Sequence, residues 1–485
     1  MNRAQLTSAG ESLHEQLGRE YYGTLSGLKA EPEFSRIYDR FDALLSETAL
    51  EAARNSGSPA ILEWIVGVQV GRKVAPHEER QLAREQELVL KVGEVQVPYL
   101  RAAIELANSP NREYRIALDR ARAKDGALAL NGLRRDRFSL EHAEMERLGY
   151  QDYVGAVTAL SGIDLAALGD QAQLFLNQTA NVFSDSLGKL VKQRLGVGLG
   201  WLVRADTAWT FRADQYDTAF RPDELVTTAR RQLGEMGLDI EHRGRIKFDT
   251  EEREGKQSRA FCVPVRVPEE VYLVMRPQGG HKDYRTFWHE LGHAMHFSTP
   301  ARDLPFEARW LGDNSITEGF AMLWDHLTMD PSWLARYTDL GKNQIRSLVA
   351  ELAVQELHMV RRYAAKLLYE LSLHRSNLVG LGSEYAERLS EATLFEYSED
   401  DHLTDVDPGF YCARYLRAWQ MEARLSAALR EQYGTDWFRN PQAGTFVQGL
   451  MERGQEKPAD ELVEEVTGRP IEFEPVAARL EALLT

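Results

Sequence analysis

The chain has 485 residues, enough to bury a substantial core, and 74 acidic against 58 basic residues give a net charge of −16. This charge argues against nucleic acid as a partner. The only cysteines, Cys262 and Cys412, are too few for a disulfide framework or a thiolate metal site. The first residues lack the apolar core of a signal peptide and no stretch is apolar enough for a membrane span, so we expect a cytoplasmic protein without membrane contact.

Helical patterns dominate the chain from its start. Apolar residues recur at three- and four-residue spacing, as on one face of an amphipathic helix. No linker, repeat or low-complexity segment interrupts them. The predicted helices span residues 11–29, 34–55, 58–73, 77–109, 111–134, 138–149, 169–195, 339–377, 409–432 and 473–484.

Short β-rich runs occur in one region, at residues 245–250, 258–265 and 271–275. Pro264 and Pro268 fit edge or end positions of strands, because proline removes a ladder donor. The sequence therefore predicts a mainly α fold with one small β-sheet.

The next segment is His289-Glu290-Leu291-Gly292-His293. Residues four apart share one face of a helix, so His289 and His293 can offer two imidazole nitrogens to one zinc ion. Glu290 is rotated off that face, where its carboxylate can take a proton from the attacking water. Two solvated or core histidines on a helix would be the alternative interpretation.

A hydrolytic zinc site needs a third protein ligand and one open position. The metzincin pattern would require glycine and histidine where the chain has His296 and Thr299, so it is excluded. The gluzincin pattern takes a glutamate from a following helix, and Glu318 lies 25 positions after His293 in the first turn of such a helix.

Glu318 has a second interpretation. Ser315-Ile-Thr-Glu318 is also a capping box, in which Glu318 would only reach back to a backbone N–H. Asp313 and Asn314 are alternative caps that would free Glu318 for the metal.

Together, FWHELGHAMHF and LGDNSITEGFAMLWDHL resemble the thimet oligopeptidase and oligoendopeptidase F family of gluzincin zinc metallopeptidases, which is related to angiotensin-converting enzyme and the thermostable carboxypeptidases. The resemblance implies one Zn2+ per chain, held by His289, His293 and Glu318, with Glu290 as the general base. His296 fits the family's HELGHxMH form, but we expect it to pack or to support a ligand.

This resemblance is clear over residues 245–485. Before residue 245 it concerns only the general architecture. It implies two helical lobes around a deep substrate cleft, with the small β-sheet beside the HExxH helix. The N-terminal helical lobe would cover residues 1–200 and the catalytic lobe residues 201–485. In the family an extended peptide can pair with the edge of this sheet, although the residues alone fit a purely structural sheet equally well.

Residues 407–419, DPGFYCARYLRAW, resemble the family's tyrosine-rich segment, in which a phenol and a histidine face the metal. A phenol O–H aimed at the developing oxyanion would stabilise it. Tyr415 fits this role best and Tyr411 is the alternative. His402, 13 residues before Tyr415, is the candidate imidazole donor, at a slightly wider spacing than in the family.

These residues predict a zinc metallopeptidase that hydrolyses peptide bonds in short peptides. One alternative is a carboxypeptidase or dipeptidyl carboxypeptidase of the same zinc fold, for which Arg414 is a possible anchor of the substrate carboxylate. Another is a catalytically silent, zinc-binding helical interaction protein. Glu290 argues against the latter, because a purely structural zinc site needs no base.

Overall fold

Helices make up most of the chain in the computed structural model, which describes residues 1–29, 32–257, 259–376, 378 and 380–484. The predicted mainly α fold is therefore confirmed. Helices α1 to α11 span Arg3–Leu25, Phe34–Asp39, Glu47–Arg54, Pro59–Glu87, Ala102–Asn108, Arg112–Arg147, Tyr153–Ser161, Leu165–Gln178, Ala180–Leu195, Thr207–Thr210 and Leu225–Glu235. Helices α12 to α21 span His281–Ser298, Phe306–Trp310, Asn314–Asp325, Pro331–Tyr337, Lys342–Arg375, Gly382–Thr393, Tyr411–Tyr433, Pro441–Met451, Ala459–Thr467 and Glu474–Leu484.

Two small sheets accompany the α-helices in the described residues. Strands β1 (Val89–Val92) and β2 (Val95–Pro98) form an antiparallel hairpin. Strands β3 (Ile246–Asp249), β4 (Phe261–Arg266) and β5 (Glu270–Val274) form a sheet of order β3-β5-β4, with β3 parallel and β4 antiparallel to β5. The three predicted strands are thus confirmed, with Ser258, the first residue of one prediction, outside the described residues. Pro264 lies on an outer strand, as predicted.

The chain forms two compact units. The first unit comprises Met1–Gln69, Asp214–Val349 and Arg417–Val476, and the second comprises Val70–Ala213, Ala350–Leu416 and Ala477–Thr485. The predicted division into lobes of residues 1–200 and 201–485 stays a prediction. Among the helices of the described residues, none is long and apolar enough to cross a membrane.

The predicted helices at 58–73 and 77–109 are wrong in their boundaries. Helix α4 continues through Pro76 and ends at Glu87, and the β1–β2 hairpin follows before α5 begins at Ala102. The physical reason is local: the β-prone runs VLKV and VQVP flank Gly93-Glu94, a two-residue turn in which Gly93 has a φ of 60°. Three further corrections concern boundaries alone, since 34–55 and 169–195 each contain two α-helices and 111–149 is one helix, α6.

Helix α12 packs very closely against helix α14. A Cβ atom on Gly292 would lie 2.6 Å from Ala321 Cα and 2.9 Å from Phe320 O. On another side of α14, a Cβ atom on Gly319 would lie 2.5 Å from Met421 Sδ of α18. Only glycine permits the approach at Gly292, where backbone atoms lie in the way, so Gly292 sets the spacing of α12 and α14. At Gly319 the contact is with the flexible Met421 side chain.

The three-stranded sheet lies beside α12, as predicted. The ring of Phe248 on β3 stacks on Phe287 of α12, with centroids 6.0 Å apart. A second contact joins Cys262 of β4 to Glu290, whose carboxylate accepts a hydrogen bond from the Cys262 backbone N–H. The sheet therefore borders α12 along the turn that carries the HExxH residues.

We expect Gly292→Ala to lower the free energy of unfolding by about 1–3 kcal/mol, because the new methyl group meets backbone atoms that side-chain rotation cannot move away. Urea denaturation would measure the change. Gly449→Ala is the matched control, since Gly449 lies in helix α19 and a Cβ there meets no described atom within 4 Å. The control should be stabilised by about 0.5–1 kcal/mol. Equal stability of Gly292→Ala and the original protein would contradict the close contact.

Candidate metal centre and active site

The three predicted metal ligands lie together in the first unit. His289 Nε2 is 3.4 Å and His293 Nε2 is 3.6 Å from Glu318 Oε2, and the three donor atoms all lie within 4.8 Å of one another. Around a tetrahedral zinc ion with bonds of about 2.0–2.2 Å, neighbouring donors lie about 3.3–3.6 Å apart. The distances to Glu318 and the two-imidazole, one-carboxylate donor set therefore fit zinc.

Each imidazole faces Glu318 with its Nε2, and a hydrogen bond at its Nδ1 orients the ring. His289 Nδ1 lies 2.8 Å from Asp325 Oδ2, and His293 Nδ1 lies 2.8 Å from Thr317 Oγ1. A carboxylate can only accept, so this hydrogen bond places a proton on His289 Nδ1 and leaves Nε2 facing Glu318. Against the effect of burial, the carboxylates of Asp325 and Glu318 raise the pKa of His289 well above its usual value. Burial lowers the pKa of His293 to about 4, which keeps that imidazole in its neutral, ligating form.

Asp325 and Thr317 are the supporting residues that sequence reasoning missed. Thr317 adjoins Glu318, and Asp325 lies seven residues after it on α14. Seven residues are nearly two helical turns, so Glu318 and Asp325 lie on one face, and this spacing was the available signal. Asp325 is itself held, since Arg285 Nε lies 3.4 Å from its other oxygen.

The structure shows which residue caps the N-terminus of α14. The N-cap is Asp313, whose side chain accepts a hydrogen bond from Ser315 N at 2.9 Å. Asp313 also accepts from Ala459 N at 3.1 Å. The helix therefore begins on one of the two alternative caps, and Ser315 is not its N-cap.

Glu290 lies one residue after His289 and is partly buried. Burial, reinforced by the negative charge of Glu318 and opposed by His289, raises the pKa of Glu290 to about 7. A carboxyl group with a pKa near neutrality can both accept and release a proton under physiological conditions. The hydrogen bond from the Cys262 N–H fixes its position beside strand β4.

His296 packs in the interior, in keeping with the expectation that it is not a ligand. It is 1% exposed, and its ring lies 5.1 Å from the ring of Phe320. Its Nε2 is 3.5 Å from the carbonyl oxygen of Gly454.

The remaining predicted site residues belong to the second unit. Tyr411 and Tyr415 lie on the first turns of α18 with ring centroids 5.3 Å apart, and Tyr363 lies 5.3 Å from Tyr415. His402 Nδ1 lies 2.9 Å from the carbonyl oxygen of Glu399. Arg414 is 8% exposed. The catalytic roles of these residues stay predictions.

The comparisons with known proteins agree with the predicted resemblance. The model of Peptidase family M3 matches residues 235–482, more than half of the chain, and the chain therefore belongs to this family. A comparison with curated proteins finds no match.

Two crystal structures share the fold. A candidate peptidase from Chlamydophila abortus superimposes with a TM-score of 0.64 at 13% identity, over 99% of this chain and 90% of that chain. A candidate oligoendopeptidase F from Bacillus anthracis str. Ames superimposes with a TM-score of 0.58 at 15% identity, over 96% of this chain and 81% of that chain.

We expect Asp325→Asn to weaken zinc binding about 10–100-fold, because the neutral amide no longer favours the proton on His289 Nδ1. Competition with a chelator of known affinity would measure the dissociation constant. Asp330→Asn is the control: Asp330 caps α15 and pairs with Arg430, and asparagine can keep the cap. Unchanged zinc affinity in Asp325→Asn, or an equal loss in both variants, would contradict this role.

Proposed function

We propose that this protein is a zinc metallopeptidase that hydrolyses short peptides. One observation carries the proposal: two imidazole nitrogens lie 3.4 and 3.6 Å from one carboxylate oxygen, with the partly buried Glu290 beside them. Membership of Peptidase family M3 supports the reaction class.

In this proposal His289, His293 and Glu318 hold one zinc ion. When bound, zinc supplies a Lewis acid for the scissile carbonyl and lowers the pKa of water toward neutrality. Asp325 and Thr317 keep the two imidazoles turned toward Glu318, through hydrogen bonds of 2.8 Å each.

Glu290 is the proposed general base. Its carboxylate takes a proton from the attacking water and later delivers it to the nitrogen of the leaving amine. Because water is the nucleophile, no serine or cysteine has to form a covalent intermediate. The Cys262 N–H keeps the carboxylate oriented while its protonation changes.

Tyr415 is the proposed oxyanion stabiliser, with Tyr411 as the alternative and His402 as a second donor. This assignment rests on the resemblance of residues 407–419 to the family segment. A hydrogen-bond donor aimed at a developing oxyanion is worth about 3–4 kcal/mol in a site that excludes water.

The outer strand β4 suggests how a peptide is held. Helix α1 lies against β4 at Pro264, where a Cβ on Gly18 would be 2.7 Å from the Pro264 carbonyl oxygen. An extended peptide would therefore pair with the part of the strand before Pro264, through backbone groups other than the Cys262 N–H, which donates to Glu290. Only unfolded segments can pair in this way, so we propose short, unstructured peptides as substrates.

We expect Glu290→Gln to lower turnover by at least about 10²–10⁴-fold while zinc content persists, since the amide is nearly isosteric and cannot accept the proton. Cleavage of a mixed peptide library, followed by mass spectrometry, would measure activity, and elemental analysis would measure zinc. Glu269→Gln is the control, because Glu269 forms a surface ion pair with Arg302. Near-normal turnover in zinc-loaded Glu290→Gln would mean that another group activates the water.

A further inference from the structure

A left-handed turn directly precedes the two tyrosines on α18. Gly409 has a φ of 59° and Phe410 a φ of 52°. Glycine adopts this conformation freely, but a bulky residue such as phenylalanine does so only when its surroundings hold it there. Phe410 is 1% exposed, and the next residue is Tyr411. The direction in which α18 begins therefore depends on what fixes this turn.

Tyr153 holds the turn from one side. Its hydroxyl accepts a hydrogen bond from Gly409 N at 2.9 Å and donates one to Glu141 Oε2 at 2.7 Å. Arg137 pairs with the other oxygen of Glu141 at 2.9 Å. Because the hydroxyl proton is directed to Glu141, an oxygen lone pair is available for the Gly409 N–H. Tyr153 is 3% exposed, so the bond is shielded from water.

The ring of Tyr153 is fixed as well. It stacks against both His142 and His374, with centroids 4.7 and 4.5 Å away. His142 Nε2 and His374 Nδ1 share a hydrogen bond of 2.8 Å, and the His374 ring also lies 5.0 Å from Phe410. The Tyr153 side chain and Phe410, the residue in the strained conformation, thus pack against the same group of rings.

Glu370 holds the turn from both of its ends. Its Oε1 accepts a hydrogen bond from Asp407 N at 2.9 Å, and its Oε2 accepts one from Cys412 Sγ at 3.1 Å. A metal could be bound by residues of these types, Glu370, Asp407 and Cys412. Lys366 Nζ, however, already lies 2.7 Å from Asp407 Oδ2 and 3.8 Å from Glu370, so an ammonium group supplies the positive charge.

We propose that Tyr153 and Glu370 are positioning residues for the phenol that takes part in the reaction, Tyr415 or Tyr411. The inference rests on the proposed function, in which one of these phenols stabilises the oxyanion. With the Gly409 N–H released, the turn can relax and α18 can start in another direction. A shift of about 1 Å at a catalytic group can cost up to about 10²-fold in rate.

Tyr153→Phe tests this role, because it removes only the hydroxyl and leaves the stacked ring. We expect kcat to fall about tenfold with KM within about twofold, since the phenol acts in the transition state rather than in substrate binding. Zinc content should stay at the original level. Amide hydrogen exchange in peptides covering residues 405–415 should become faster, because Gly409 N–H loses its partner.

Tyr337→Phe is the matched control. The Tyr337 hydroxyl also donates to a carboxylate at 2.7 Å, that of Glu235, and lies in the first unit. Its loss should leave kcat and the exchange of residues 405–415 unchanged. Glu370→Gln serves as a second variant if Tyr153→Phe does not fold, and we expect the same pattern of a lower kcat and an unchanged KM.

A double-mutant cycle separates positioning from a merely structural effect. If Tyr153 acts through the catalytic phenol, Tyr153→Phe should cost less than about twofold once that phenol is removed by Tyr415→Phe or Tyr411→Phe. Multiplicative losses, unchanged exchange at 405–415, or an equal fall of kcat in Tyr337→Phe would overturn the inference. If neither Tyr415→Phe nor Tyr411→Phe lowers kcat, the oxyanion assignment itself fails, and the inference fails with it.

Discussion

The contact between α12 and α14 at Gly292 is the constraint on which the candidate site depends. The missing side chain lets the backbone of α14 approach within a distance that any Cβ would block. At that spacing Glu318 reaches both His289 and His293, which the α-helix places on one face. On another side of α14, Gly319 contacts the Met421 side chain, so α14 also packs against α18.

Burying the Glu318 carboxylate in such a site costs free energy when no cation is bound. The Glu318 side chain is 6% exposed and faces two imidazoles, so its charge is largely removed from water. A divalent ion would offset that cost, and the surrounding hydrogen bonds would keep the candidate ligands in place. Asp325 is fixed by Arg285 and lies 3.6 Å from His326, which is bound to Glu422 at 2.8 Å. The polar surroundings thus belong to the candidate site as much as the three candidate ligands do.

Sequence reasoning found what local periodicity encodes and missed what distant segments contribute. The i,i+4 spacing of His289 and His293 could be recognised in the sequence, and so could the following helix with Glu318. An α-helix by itself fixes where residues at such spacings lie. The β1–β2 hairpin was mistaken for helix, since a few valines fit both periods. The left-handed backbone conformation of Phe410 could not be predicted from the neighbouring residues, because the turn is held by Tyr153 and Glu370, which are far away in the chain. The spacing of Asp325 was visible, but only the fold shows that its carboxylate meets His289.

The most direct test of the account is a crystallographic anomalous difference map, recorded at the zinc absorption edge from protein supplied with zinc. We expect one peak per chain, bonded to His289 Nε2, His293 Nε2 and a Glu318 oxygen at about 2.0–2.2 Å. A map without a peak there, or a peak bonded to only two of these residues, would contradict the proposed metal centre.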